Sequence, residues 1–197
     1  FKSGEREPVV LSEEQQGAFD TLKALYHESE PRAALLYGVT GSGKTEVYLN
    51  SIEKALESGK TAILLVPEIG LTPQVFALLE SRFGQKVVVL HSGLSVGERF
   101  DEWKRILLGE AKIIIGARSA IFTPIKNLGV IIIDEEHEQS YNSESHPRYT
   151  TSEVAEFRRE FNSCALVLGS ATPSMVSYHK AMTKEYRLIE MLERVNG

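Results

Sequence analysis

Gly38-Val39-Thr40-Gly41-Ser42-Gly43-Lys44-Thr45 holds the densest chemistry in the chain: Gly-x4-Gly-Lys-Thr, led in by apolar Leu35-Leu36-Tyr37. Glycines at this spacing let the backbone curl until successive N–H groups face one anion, the phosphate cradle called a P-loop. In such a cradle Lys44 supplies a point charge to the β and γ oxygens of a nucleotide triphosphate. The Thr45 hydroxyl is placed to ligate Mg²⁺. The flanks suit the motif, because Ala33 to Tyr37 reads as a short buried strand. Thr45 to Glu57 reads as a helix with apolar Val47, Leu49, Ile52, Ala55 and Leu56. A Gly-rich turn without function has no reason to bring both. Nucleotide binding is expected at Gly38, Val39, Thr40, Gly41, Ser42, Gly43, Lys44 and Thr45.

A second constellation follows four branched apolar residues, Val130-Ile131-Ile132-Ile133, which lead into Asp134-Glu135-Glu136-His137. Adjacent carboxylates at a strand end divide two roles beside a P-loop. Asp134 holds Mg²⁺ directly or through water, and Glu135 orients and deprotonates an attacking water. The plain alternative is a solvated acidic turn, which Glu136 and Glu138 also suit. The upstream P-loop favours the catalytic reading, with Lys44, Asp134, Glu135 and His137 as the candidate catalytic set and Thr45 and Asp134 as the metal pair.

These loops need elements to hold them. Short branched runs at 61–66, 86–90, 112–115, 130–133 and 165–168 read as fully buried strands. Helical patterns lie between them at about Leu71 to Arg82, Val96 to Leu108 and Thr151 to Phe161. A first helix at Ser12 to His27 is opened by Ser12 as N-cap, with Gln15 at the capping-box position. Alternation of this kind predicts an α/β lobe with a mostly parallel sheet covered on both faces. Its chemistry belongs in the loops at the carboxyl ends of the strands. There is no internal repeat and no linker, and a single long polar loop spans Glu138 to Tyr149.

At 197 residues the chain is one domain or one large lobe with mass enough for a proper core. Its 22 Lys and Arg against 27 Asp and Glu leave a formal charge of −5. No global basic field draws in nucleic acid, so any such contact must be local. The single cysteine, Cys164, opens the apolar run Cys164-Ala165-Leu166-Val167-Leu168 and reads as a small buried hydrophobe. That excludes a disulfide framework or a cysteine zinc site in this sequence and fits a reducing compartment. No apolar run nears the roughly 18 residues that span a bilayer. Phe1-Lys2-Ser3-Gly4-Glu5-Arg6 lacks the apolar core of a signal peptide. A soluble, cytoplasmic protein without a membrane partner is expected. It starts without methionine and stops at Arg194-Val195-Asn196-Gly197, as a piece of a longer protein would.

Taken together, the chain resembles the first RecA-like lobe of a superfamily two DNA helicase, and more closely the primosomal replication-restart helicases (protein N′, PriA type). The residues that carry the resemblance are Gly38 to Tyr48, Val66-Pro67-Glu68-Ile69-Gly70-Leu71-Thr72-Pro73-Gln74, His91-Ser92-Gly93-Leu94-Ser95 with Glu98, Arg99 and Trp103, Gly116 to Pro124, and Asp134 to His137 with Ser140-Tyr141. It runs from about Leu11 to near the C-terminus, leaving residues 1–10 as a leading segment and 11–197 as the lobe. The resemblance implies ATP and Mg²⁺, single-stranded or forked DNA, 3′–5′ translocation and replication-restart partner proteins. It makes His137, Ser170 and Thr172 the coupling set that joins γ-phosphate sensing to DNA movement. Gln15 becomes the reader of the adenine edge, beside its capping role.

The same resemblance places DNA contacts at Thr72 and Gln74, at His91, Ser92 and Gly93, and at Arg118 and Ser119. Loop N–H groups, hydroxyls and helix N-termini can bind phosphates in an acidic lobe, and Arg118 is the one full charge among them. The 138–149 loop matches the family's aromatic-rich loop, where Tyr141, His146 and Tyr149 are placed to stack on bases. Asn142 and Ser152 stand where relatives often carry Lys and Arg, a departure that weakens this assignment. Trp103 reads more simply as a core residue with Phe100, Ile106 and Leu107.

A second RecA-like lobe with an arginine finger, a zinc module and an amino-terminal DNA-binding module belong to such helicases and have no counterpart in these residues. Slow hydrolysis by a half-site, with no zinc here, is expected. The alternatives are a branch migration helicase or restriction translocase lobe, which share Asp-Glu-x-His and Ser-Ala-Thr, and a non-catalytic module that binds nucleotide, DNA or partners. A P-loop kinase or transporter ATPase lacks support, with no lid arginines and no second signature loop.

Overall fold

Runs of Ile, Leu, Val and Ala buried on both faces make the centre of the molecule. The computed structural model describes residues 9–27 and 32–195. Its strands are β1 (Ala33–Gly38), β2 (Thr61–Leu65), β3 (Val87–Leu90), β4 (Ile113–Gly116), β5 (Leu128–Ile133), β6 (Ala165–Ser170) and β7 (Arg187–Met191). They form one sheet in the order β3-β4-β2-β5-β6-β1-β7, and every pairing is parallel. The expected leading segment falls outside the described residues except for exposed Val9 and Val10.

Side chains alternate across the sheet and build two cores. Ala34 and Leu36, Ala62 and Leu64, and Val130 and Ile132 meet α1 (Glu13–Leu25), α2 (Lys44–Glu57) and α3 (Pro73–Phe83) on one face. Ala33 and Leu35, Ile63 and Leu65, and Ile131 and Ile133 meet α4 (Val96–Leu107), α5 (Thr151–Asn162) and α6 (Met175–Met182) on the other. Each fully buried branched side chain is worth about 1.5–3 kcal/mol, so the strands that carry the loops are the stiffest part of the fold. Arg82 of α3 spans to α2 through Glu46 (2.5 Å) and Glu53 (2.8 Å).

Local signals behave as their chemistry dictates. Ser12, Ser95 and Thr150 each complete a capping box with Gln15, Glu98 and Glu153. Cys164 is buried, and burial pushes its thiol up to about 11.

Two features depart from the sequence reading. The chain continues past Ser170 with α6 and the edge strand β7, whose Arg187-Leu188-Ile189-Glu190-Met191 pattern is half polar and gives no fully apolar run. Trp103 is half-buried, while Phe100 and Leu107 are exposed and only Ile106 of that helix is buried. The expected Trp103 core does not form, because α4 rests on the sheet edge at β3 and buries just its last turn.

Candidate functional site

All the motif loops leave the carboxyl ends of the strands, as a parallel sheet requires. The P-loop runs from β1 into α2 with Gly41 (φ +81°) and Gly43 (φ +79°) in the left-handed region, which glycine enters without strain. Gly43 is the N-cap of α2 and supplies no side-chain cap, so the first N–H groups of the helix stay available to an anion. Lys44, 8% exposed, folds back to donate to the Gly38 carbonyl at 2.7 Å and the Val39 carbonyl at 3.5 Å. The Ser42 hydroxyl is buried with no hydrogen-bond partner among the described residues. A buried lysine beside a buried hydroxyl that has no protein partner is a donor set that fits a phosphate. Thr45 is exposed at the start of α2.

Two segments brace the cradle. Gln15 is buried with its amide oxygen on the Ser12 N–H (2.8 Å) and its amide nitrogen on the Gly43 carbonyl (3.2 Å), so the capping reading holds. The chain leaving β7 crosses the other side. The Val195 N–H donates to Gly41 (2.9 Å), and the Leu192 and Glu193 N–H groups donate to Glu14 at 3.2 and 2.9 Å.

Asp134 and Glu135 stand at the end of β5, one strand from β6 and two from β1. Asp134 Oδ1 accepts from the Tyr48 hydroxyl at 2.8 Å. Glu135 has φ +48°, a conformation uncommon for a residue with a Cβ. His137 Nδ1 lies 2.7 Å from Ser170 Oγ and 3.5 Å from Glu135 Oε2. Ser170 Oγ in turn accepts the Thr172 N–H at 2.9 Å. His137, Ser170 and Thr172 thus form one hydrogen-bonded chain from the end of β5 to the end of β6.

The remaining candidates lie over β2, β3 and β4, the other half of the sheet. Gln74, Ser92, Gly93 and Ser119 are exposed, and Thr72, His91 and Arg118 are half-buried. Thr72 caps α3 by accepting the Val75 N–H. His91 stacks on Phe76 with centroids 5.8 Å apart, and the Ser92 N–H donates to Glu68 at 3.2 Å. Arg118 donates to the Asn142 carbonyl at 2.5 Å and lies 6.0 Å from the ring centre of Tyr149, whose edge meets Phe122.

Tyr141 corrects the sequence reading. It is 3% exposed and donates its hydroxyl to the Asp134 carbonyl at 2.7 Å, so its ring is not offered to a base. It ties the 138–149 loop to the carboxylate turn instead. Tyr149 is half-buried and His146 exposed.

The profile of DEAD/DEAH box helicases matches residues 12–180. The chain belongs to the DEAD/DEAH box helicase family. It is 54% identical over 190 residues to the replication restart protein PriA of Bacillus subtilis strain 168, covering 96% of this chain and 24% of that protein. It is 51% identical over 172 residues to the PriA of Synechocystis sp. strain PCC 6803, covering 86% of this chain and 20% of the relative. The chain therefore spans about a quarter of the length of these relatives. Among solved structures, RecG bound to a three-way DNA junction superposes with a TM-score of 0.70 at 23% identity, over 96% of this chain and 25% of that one. The fold of a RecA-like helicase lobe is shared.

In this helicase lobe the electrostatics of the turn are set by burial. Desolvation raises the Asp134 carboxyl above its ordinary value, against the Tyr48 hydrogen bond and the Lys44 ammonium that pull it down. Tyr48, one turn beyond Lys44 on α2, brings the start of that helix to the Asp134 carboxylate through its 2.8 Å hydrogen bond. Glu135 is raised by desolvation and then by the neighbouring Asp134 charge. Two residues escaped the sequence reading. Glu136, expected to be solvated if the turn were only acidic, is buried and accepts from the Ser174 N–H (2.7 Å), Ser174 Oγ (3.1 Å) and Ser177 Oγ (3.0 Å), anchoring α6 to the carboxylate turn. Ser174-x-x-Ser177 after Ser-Ala-Thr was the available signal. Tyr48 is the second, present in the run that carries the resemblance but given no role of its own there. Among the described residues no helix is long and apolar enough to cross a membrane.

Proposed function

We propose that this chain is the ATP-binding lobe of a 3′–5′ DNA helicase that acts in replication restart on single-stranded or forked DNA. The observation that carries the reading is a P-loop at β1, a carboxylate turn at β5 tied to the P-loop helix by the Tyr48–Asp134 hydrogen bond, and the His137–Ser170–Thr172 chain running on to β6. The relatives named above carry the replication-restart role in their names, and the lobe shares about half its residues with them.

In this reading Lys44 exchanges the Gly38 and Val39 carbonyls for the β and γ oxygens of ATP. The Gly41-Ser42-Gly43 backbone and the orphaned Ser42 hydroxyl complete the cradle. Thr45 and Asp134 hold Mg²⁺, which supplies positive charge to the phosphate oxygens. Glu135 orients the attacking water and takes its proton. Its raised pKa makes it a stronger base than a free carboxylate. The Gln15 amide, already at Gly43 and with a second N–H to give, reads the adenine edge. His137 carries the change at the γ-phosphate to Ser170 and Thr172. DNA runs over Thr72, Gln74, His91, Ser92, Gly93, Arg118 and Ser119, with Tyr149 as the stacking ring. The protein works in the cytoplasm, with a second RecA-like lobe completing the site with an arginine and with replication-restart proteins as partners.

The test is ATP hydrolysis by these residues with and without single-stranded DNA, compared with the same lobe joined to its second lobe. An arginine from that lobe is worth about 10³–10⁵ in rate, so slow, weakly stimulated turnover is expected here. Vigorous DNA-stimulated turnover by these residues alone would refute the half-site.

A further inference from the structure

Tyr48 sits one turn into α2, four residues beyond Lys44, and is fully buried. Its ring belongs to the apolar core on the α1–α3 face, yet its hydroxyl leaves that core to donate to Asp134 Oδ1 at 2.8 Å. A phenylalanine would fill the same space without a polar atom, and a buried hydroxyl costs free energy unless it is bonded. The other side of the hydroxyl is met by Gly169. A Cβ at Gly169 would stand 1.6 Å from the Tyr48 oxygen and 3.4 Å from Asp134 Oδ1, so β6 is notched at the point where this phenol passes. The Gly169 carbonyl accepts the Glu136 N–H at 3.0 Å, and the next residue, Ser170, is the partner of His137. One side chain thus runs from the P-loop helix to the carboxylate turn and to the strand that ends at Ser170.

We propose that Tyr48 is the positioning residue of the Asp134 carboxylate, and that Gly169 is the notch that admits it. By holding Oδ1, Tyr48 fixes the rotation of the carboxylate toward the cation that accompanies the nucleotide, without touching nucleotide or cation itself. Outer groups that orient a metal-binding side chain are worth about 10–100-fold in metal affinity. This inference rests on the reading of the chain as a Mg-nucleotide lobe.

The experiment is calorimetric titration of a non-hydrolysable ATP analogue at a series of Mg²⁺ concentrations, on the wild-type chain and on Tyr48→Phe, Gly169→Ala and the double variant. Thermal melts verify folding of each. Tyr48→Phe keeps the ring and is expected to stay folded while needing about tenfold more Mg²⁺ for half-maximal binding. A wild-type Mg²⁺ midpoint in Tyr48→Phe would overturn the inference, because a packing role alone leaves that midpoint where it was. Gly169→Ala is expected to bind far more weakly than wild type. Adding Tyr48→Phe is expected to recover part of the loss, since the nearest clashing atom is gone. Effects of the two changes that simply add would overturn the notch. If the wild-type chain does not bind the analogue, or binds it with no dependence on Mg²⁺, the Mg-nucleotide reading itself fails and takes this inference with it, a result distinct from a normal wild type beside an unaltered Tyr48→Phe.

Discussion

The two halves of the sheet end in loops of opposite character. Over β5, β6 and β1 most of the charged and hydroxyl groups are buried or cross-linked, Thr45 being exposed: Ser42, Lys44 and Ser170 are buried, Asp134 is held by Tyr48, and His137 by Ser170. Over β3, β4 and β2 the loops present Gln74, Ser92, Gly93 and Ser119 to solvent with few side-chain partners. A site that must place charge within a fraction of an ångström needs rigid surroundings. A surface that tracks a nucleic-acid backbone of any sequence gains from exposed N–H groups and hydroxyls. The 138–149 loop belongs to both halves, through Tyr141 on the Asp134 carbonyl and Arg118 on the Asn142 carbonyl. It is hydrogen-bonded to both.

The sharpest way to break this contrast is Glu135→Gln. Hydrolysis by the lobe in its two-lobed protein is expected to fall by about 10²–10⁴-fold, with nucleotide affinity and single-stranded DNA binding retained. Steady-state turnover set beside equilibrium binding separates the two.

Arg118→Ala tests the other half. It is expected to weaken single-stranded DNA binding and to lower the salt slope of the affinity by about 0.7, the value of one phosphate contact on a single strand. Nucleotide affinity should not change, as titrations at several salt concentrations would show.

Asp134→Asn measures what the buried carboxylate costs. Its pKa is raised in the fold by burial, so the folded state binds that proton more tightly than the unfolded one. Its contribution to stability is therefore present below the ordinary carboxylate range and is lost as pH rises through it to the folded value. At neutral pH the variant is expected to melt above the wild type. That advantage should shrink to nothing as pH falls below about 4, which melting curves across pH would reveal.

Tyr141→Phe is the smallest change. Loss of the bond to the Asp134 carbonyl is expected to cost about 0.5–1.5 kcal/mol of stability and to leave DNA affinity unaltered, since the hydroxyl is already committed to that carbonyl. Weakened DNA binding with unaltered stability would show that the hydroxyl meets DNA instead of Asp134.

Much of the nucleotide half was legible in sequence because its signals are local. Glycines at fixed offsets, a lysine at a helix start and carboxylates after four branched residues can each be placed at a strand end without knowing a partner. The runs at 61–66 and 130–133 were equally plain, being apolar on both faces, and the strands are Thr61–Leu65 and Leu128–Ile133. What escaped depends on distant residues. Tyr141 is an aromatic in a polar loop by sequence, and only the carbonyl of Asp134 seven residues earlier explains its burial. Glu136 looks like its acidic neighbours until Ser174 and Ser177 arrive from the far side of β6. Trp103 has a helical apolar period around it, but α4 lies at the sheet edge and has too little surface beneath it to bury the whole stripe. Strand β7 hid for the same reason, since an edge strand buries one face and shows a mixed pattern.

The account stands most directly on titration of an ATP analogue into the wild-type chain and into Lys44→Ala, each with and without Mg²⁺. The wild type is expected to bind in a Mg²⁺-dependent way, and the variant to lose about 2–5 kcal/mol of that binding while keeping its fold. Equal binding by the two proteins would contradict the claim that the loops of β1, β5 and β6 close around one triphosphate.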